Sequence, residues 1–175
     1  NIQVLSDAST ESFIKVVAEV GSLYGDILGY KYERNASGQI LVDDSGIPLK
    51  TQNMSKLGNY QPKWMMGLSN SFTFHSFDMS FLIDMRYGGE IYMGSIKSGA
   101  SSGTLAMTLD GREGGMVVPN SVVKSTGAVN TKSVTPQAYY GGISGITEAW
   151  IYDATNVCFR ELSLGYTLPS DLVHK

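Results

Sequence analysis

Chemistry needs reactive side chains at matched spacings, and this sequence brings few of them together. Its two histidines are His75, between two alternating runs, and His174, beside the last residue. Neither has the partners that a His-based metal site or a nucleophilic triad requires. Asp43-Asp44-Ser45-Gly46 opens like a calcium loop, yet Ile47, Pro48 and Leu49 add no side-chain oxygens, so a turn is expected. Gly88-Gly89 and Gly114-Gly115 lack the strand, glycine loop, helix and lysine order of a phosphate loop, and read as turns. Cys158 is the single cysteine, so no internal disulfide forms; a small apolar filler is expected there, with a reactive thiol as the other reading. Asn35-Ala36-Ser37 and Asn53-Met54-Ser55 match the glycosylation acceptor pattern, which is too short to carry a function. Asp78, Asp84 and Arg86 share one face of one strand, as a binding or acid/base cluster or as charge in a water-lined interior. No catalytic residue, cofactor or bound metal is expected, and residues 5–21 are not expected to form a functional site. Substrate-binding residues are not assigned.

The elements that position these residues are mainly strands. Trp64, Met66, Leu68, Phe72 and Phe74 alternate with Gly67, Ser69, Ser71 and Thr73, and the pattern resumes after His75-Ser76. There Phe77, Met79, Phe81, Ile83, Met85 and Tyr87 oppose Asp78, Ser80, Asp84 and Arg86. Period two on both sides of a two-residue gap predicts a hairpin, although neither gap residue favours a tight turn. A third strand is expected where Leu162, Leu164, Tyr166 and Leu168 alternate with Glu161, Ser163, Gly165 and Thr167, with Pro169 ending the ladder. Residues 29–44 read as a small hairpin turning at 35–38. Phe13, Ile14, Val16, Val17 and Val20 fit a helical stripe nearly as well as a strand.

Composition narrows the function classes. The chain has 175 residues, 42% hydrophobic and 17% charged, which is not the composition of a disordered chain. A net charge of −3 with scattered lysines and arginines offers no stripe for a phosphate backbone, so nucleic acid is not an expected partner. No window approaches the ~18 apolar residues of a spanning helix, whereas barrel strands need only about 9 to 11 residues each. Residues 94–149 are rich in Gly, Ser and Thr and too long for a connector inside a compact soluble domain, where loops beyond about 15 residues are uncommon. Long excursions on one side and tight turns on the other are the habit of outer-membrane barrels. The start at Asn1, with no leader after it, suggests a fragment.

Several segments, taken in order, resemble the SusC/RagA family of TonB-linked (TonB-dependent) outer-membrane transporters. They run from Tyr24-Gly25-Asp26-Ile27-Leu28-Gly29-Tyr30 through Gly38-Gln39-Ile40-Leu41-Val42-Asp43-Asp44-Ser45-Gly46-Ile47-Pro48 to Leu57-Gly58-Asn59-Tyr60-Gln61-Pro62-Lys63-Trp64. Gly67-Leu68-Ser69-Asn70-Ser71-Phe72, Phe77-Asp78-Met79-Ser80-Phe81 and Arg86-Tyr87-Gly88-Gly89-Glu90-Ile91-Tyr92 follow. The series closes on Phe159-Arg160-Glu161-Leu162-Ser163-Leu164-Gly165-Tyr166-Thr167-Leu168-Pro169. The resemblance implies an all-β chain whose antiparallel strands form part of a large transmembrane outer-membrane β-barrel of about 22 strands, with long extracellular loops. It implies that residues 1–175 are a fragment near the carboxyl end of that barrel, with the plug domain and final strands absent and a long loop over about 94–149. It also implies TonB-dependent import of oligomeric nutrients, glycans or peptides, across the bacterial outer membrane, as part of a SusCD-like complex and without catalysis. The implied partners are a SusD-like surface lipoprotein, the TonB complex through parts outside this fragment, the oligosaccharide or peptide substrate, and outer-membrane lipid.

The competing expectation is a soluble β-sandwich carbohydrate-binding module, with Trp64, Tyr139, Tyr140 and Trp150 stacking on sugars. A sandwich strand buries its apolar face in a packed core, and a barrel strand turns that face to lipid.

Overall fold

A computed structural model describes residues 12–18 and 21–169. Its strands are β1 (Ile14–Val17), β2 (Asp26–Gly29), β3 (Ile40–Val42), β4 (Ser55–Asn59), β5 (Trp64–Phe74), β6 (Phe77–Tyr87), β7 (Glu90–Tyr92), β8 (Ser121–Val123), β9 (Ile151–Asp153) and β10 (Asn156–Tyr166). Two short helices, α1 (Gly94–Ser101) and α2 (Pro136–Gly142), and single 3₁₀ turns lie between them. The fold is all-β with mostly antiparallel sheets, and the described strands do not close into a barrel. Among the described residues no helix is long and apolar enough to cross a membrane, which says nothing about strands.

The chain divides into two compact units. The first draws its described residues from Asn1–Tyr60 and Glu90–Tyr152, the second from Gln61–Gly89 and Asp153–Lys175.

The second unit is one antiparallel sheet in the order β10-β6-β5. β5 and β6 pair without interruption from Trp64↔Tyr87 to Phe74↔Phe77, leaving His75 and Ser76 as the turn. His75 takes φ +54° and Ser76 does not turn positive, so the turn is not type I′, which needs positive φ at both positions. This accounts for a register legible from alternation beside a turn without the usual Asn-Gly signal. β10 begins at Asn156, earlier than the alternation from Glu161 suggests, and ends at Tyr166 rather than Leu168. Thr167 N still donates to Ser76 O at 2.8 Å.

The first unit stitches its two segments together. β1, β2 and β4 form an antiparallel sheet, so the ambiguous opening segment is a strand over Ile14–Val17. β3 pairs in parallel with β8, Ile40 to Val42 against Ser121 to Val123. The small hairpin expected over 29–44 appears as an Arg34↔Ile40 bridge closed by a turn, in which Asn35 Oδ1 accepts from Ser37 N and Gln39 N. Residues 94–149 are not an unstructured excursion: they supply α1, α2, β8 and most of the core. Ala100, Tyr140, Ile143, Ile146 and Trp150 form one buried cluster, with Trp150 1% exposed and its Nε1 donating to Ile143 O at 3.1 Å. Burying a large apolar side chain contributes about 1.5–3 kcal/mol, so this cluster anchors a segment whose helices are too short to stand alone. α2 starts where Thr135 Oγ1 accepts from Ala138 N and Pro136 presets the first turn.

Candidate functional site

The sheet β10-β6-β5 is two-faced, and its register shows how. On one face the cross-strand rows run Phe74-Phe77-Tyr166, Phe72-Met79-Leu164, Asn70-Phe81-Leu162, Leu68-Ile83-Phe159 and Met66-Met85-Val157, closing on Trp64-Tyr87. Large apolar side chains on this face stand exposed, among them Leu164 and Phe74 at 73% and Trp64 at 48%. An exposed face of this size on one sheet is far from the scattered apolar surface of an ordinary soluble domain.

A single irregularity makes the face continuous. Phe159 pairs with Ile83 while Glu161 pairs with Leu82, so Arg160 is the extra residue of a β-bulge. Strict alternation from Leu162 backwards puts Arg160 on the apolar face and Phe159 on the other. The bulge reverses this, placing Val157 and Phe159 in line with Leu162, Leu164 and Tyr166, and lets Arg160 Nε donate to Asp84 Oδ2 at 2.8 Å.

The opposite face carries Gly67, Ser69, Ser71 and Thr73 on β5, Asp78, Ser80, Asp84 and Arg86 on β6, and Cys158, Glu161, Ser163 and Gly165 on β10. Met65 and Leu82 are its apolar exceptions. Thr73 Oγ1 donates to Asp78 Oδ1 at 2.8 Å. Asp78, Asp84 and Arg86 therefore share this polar face, spread along β6 rather than focused on one point. Cys158 Sγ lies 3.3 Å from Asn156 Oδ1 on the same side.

Aromatic rings bracket the apolar face. At the turn end Phe77 and Tyr166 lie 4.6 Å apart between centroids, with Phe74 against His75. At the other end Trp64 stacks on Tyr87 at 5.6 Å, and Lys63 Nζ lies 5.6 Å from the Tyr87 ring. β6 has 11 residues. At ~3.4 Å per residue and a tilt near 40°, such a strand covers about 26 Å along the normal, the height of an outer-membrane apolar band flanked by aromatic girdles.

Other candidates resolve into structure. Asp43 Oδ1 accepts from Ser45 N and Ile47 N at 2.9 Å, and Gly46 takes φ +90°: the segment is a turn. Gly88 and Gly89, in the link from β6 to β7, and Gly115, just after the turn at 110–114, adopt positive φ. His174 and residues 5–11, 19 and 20 of the opening segment lie outside the described residues. Tyr140 and Trp150, stacking candidates in the sandwich reading, are 7% and 1% exposed, inside the core where no sugar reaches them. Asp26 is 2% exposed in the first unit. Burial alone raises its pKa, but hydrogen bonds from Lys56 and Asn59 and the Lys56 charge outweigh this and hold the carboxyl below its ordinary range. Among the described residues no group of three or more His, Cys, Asp or Glu side chains could hold a metal ion.

Sequence reasoning missed the β-bulge, whose signal was available: apolar Val157 and Phe159 sit out of phase with Leu162 by one residue.

Family profiles give no match. The chain is similar to TonB-dependent receptor P3 of Formosa agariphila, 24% identical over 177 residues that cover 89% of this chain and 16% of that protein. It is also similar to TonB-dependent receptor P39 of the same organism, 22% identical over 174 residues, 95% of this chain and 16% of that protein. The chain thus spans about a sixth of the length of these curated relatives. Together they relate it to TonB-dependent receptors.

Proposed function

We propose that this chain is a wall segment of a TonB-dependent outer-membrane transporter and catalyses no reaction. The observation that carries the reading is the two-faced sheet: apolar rows about 26 Å tall, ringed by aromatics at both ends, over a polar reverse side. β5, β6 and β10 would be three successive barrel strands, with β5 and β10 offering their open edges to strands outside this chain. The tight turn at His75-Ser76 would face the periplasm. Residues 94–149, which join β6 to β10 at the other end, would then lie outside the cell by parity. The similarity to proteins named as TonB-dependent receptors supports the same assignment.

The finer reading is ours as well: a SusC/RagA-type importer of glycans or peptides, working with a SusD-like surface lipoprotein and energised through TonB by parts outside this chain. Its support is the order of the motifs from Tyr24 to Pro169.

A spin-label scan along β6 tests the barrel wall. In the full-length protein in lipid, with Cys158→Ser, each position from 77 to 87 is labelled in turn. Collision with oxygen should peak at odd positions and collision with a polar nickel chelate at even ones. Odd positions shielded from both reagents would indicate a packed protein core and refute the reading. For transport, uptake of the oligomer should stop in cells lacking TonB, and the lipoprotein should co-purify with the intact transporter.

A further inference from the structure

We propose that the cleft between α1 and α2 in the first unit binds an oxyanion group, a carboxylate or sulfate ester carried by a polar oligomer, with Arg112 as its fixed cation.

The cleft has a volume of about 560 Å³, within the ordinary range for a small-ligand site of roughly 300–1,000 Å³. Its lining comes from the end of α1, the turn after it, the 3₁₀ turn Ala106–Thr108 and the start of α2. Arg112 is the one charged side chain in that lining, and no carboxylate shares it.

What distinguishes Arg112 is how it is held. Its Nε donates to Thr108 O at 3.0 Å, and its Nη2 donates to Gly103 O at 2.7 Å and to Thr108 Oγ1 at 3.1 Å. All three acceptors are neutral. Thr108 is itself 2% exposed, and its hydroxyl is oriented by donating to Leu105 O at 2.7 Å. Arg34 and Arg160, by contrast, are neutralised by Glu148 and Asp84. Asp110 and Glu113, near Arg112 in sequence, form no ion pair with it among the described residues. One edge of the guanidinium is therefore fastened to carbonyl and hydroxyl oxygens, while Nη1 and the full positive charge stay uncommitted. A guanidinium held in place before binding, with both N–H groups of Nη1 free, offers a charge-assisted donor to a carboxylate or sulfate oxygen, and little side-chain entropy remains to be lost.

The rest of the lining agrees. The carbonyls at the end of α1 are occupied: Ser98 O, Gly99 O and Ala100 O accept from Ser102 N, Thr104 N and Gly103 N. Their donors offset part of the negative charge at that helix end. The hydroxyls of Ser101 and Ser102 and the amide of Gln137 make no hydrogen bond to any described residue, so they can donate to the flanking oxygens of a hydroxylated ligand. No aromatic ring lines the cleft, which argues for hydrogen bonding to an oxyanion over stacking on a neutral sugar face. The role of the site, first capture of an anionic cargo, rests on the transporter reading; its chemistry does not.

The test uses the full-length protein purified in detergent and calorimetric titration with three probes of similar length: oligogalacturonate, a dextran sulfate oligomer and neutral maltohexaose. At least one anionic probe should bind, and which one identifies the oxyanion; maltohexaose should not bind at this site. Arg112→Gln should weaken the anionic probe at least tenfold, Arg112→Lys should recover part of that loss, and Ser102→Trp should block the cleft with Arg112 intact. Unchanged near-ultraviolet dichroism of each variant separates lost binding from lost folding. Absence of binding by both anionic probes, or wild-type affinity in Arg112→Gln, overturns the proposal. Because the spin-label scan of β6 is independent of ligand, a failed titration beside an alternating scan counts against this cleft alone.

Discussion

Phe81 lies on the central strand of the sheet, faces the apolar side, and stacks against Phe72 with ring centroids 6.2 Å apart. With ~3.4 Å per residue and a tilt near 40°, it falls about 10 Å from the Phe77 edge and 16 Å from the Tyr87 edge, within about 3 Å of the middle of the band. Phe81→Arg there should destabilise the barrel by roughly 2–4 kcal/mol, the cost of a lipid-facing arginine near the midplane. That corresponds to a shift of roughly 30- to 1,000-fold in the folding equilibrium. Ser80→Arg, one residue away, points to the polar side between Ser71 and Ser163, and should cost less than about 1 kcal/mol. Phe81→Ala loses the ring pair, worth about 0.5–1.5 kcal/mol, but acyl chains fill the vacated space. In a protein core the same truncation leaves a cavity and costs about 3–5 kcal/mol. Denaturant unfolding of the full-length protein in lipid vesicles, followed by tryptophan fluorescence, measures all three. Phe81→Ala as damaging as Phe81→Arg would refute the lipid-facing assignment.

Three further expectations concern the first unit. A cysteine replacing exposed Ser101, in a Cys158→Ser background, should react with an impermeant maleimide on intact cells; protection that persists without any lid partner would place residues 94–149 elsewhere. Because the Asp26 pKa is depressed, its contribution is complete above the unfolded value of about 3.9 and is lost as pH falls through the lower folded value. Hydrogen exchange of β2 and β4 amides in the full-length protein should thus accelerate below about pH 4, and Asp26→Asn should remove that dependence at a cost of about 1–3 kcal/mol. A Cβ added at Gly29 would sit 2.6 Å from the Cβ and Oγ1 of Thr147, whose hydroxyl accepts from Tyr30 N and donates to Phe13 O. Gly29→Ala should therefore raise exchange at Tyr30 and Glu148 together, by loosening the seam between the two segments, at about 1–3 kcal/mol.

The two-faced hairpin was legible because a sheet with one apolar and one polar side writes that difference into every second residue, and β5 and β6 hold one register from Trp64 to Tyr87 with few exceptions. β10 was half legible: Leu162, Leu164 and Tyr166 keep phase with each other, while Val157 and Phe159 are displaced by one position. The first unit was hardly legible. Its core residues Ala100, Tyr140 and Trp150 come from stretches whose glycines and serines read as loop, and β3 finds its partner β8 some eighty residues away, beyond any local pattern. Arg112 drew no notice because its importance lies in the carbonyl oxygens of Gly103 and Thr108, which have no signature in side-chain sequence. The sugar-stacking expectation for Tyr140 and Trp150 failed for a plain reason: composition does not tell a binding platform from a core.

The spare residue at Arg160 makes β10 unequal along its length to changes in chain length. Removing Arg160 would leave Val157, Phe159, Leu162, Leu164 and Tyr166 in unbroken alternation, at the expense of the ion pair to Asp84. Removing Ser163 would instead reverse the strand beyond it, turning Leu164 and Tyr166 to the polar face and Gly165 to the apolar one. Length variation among related sequences should therefore collect at this position and be purged a few residues on, so that gaps in an alignment would trace the bulge without any structure.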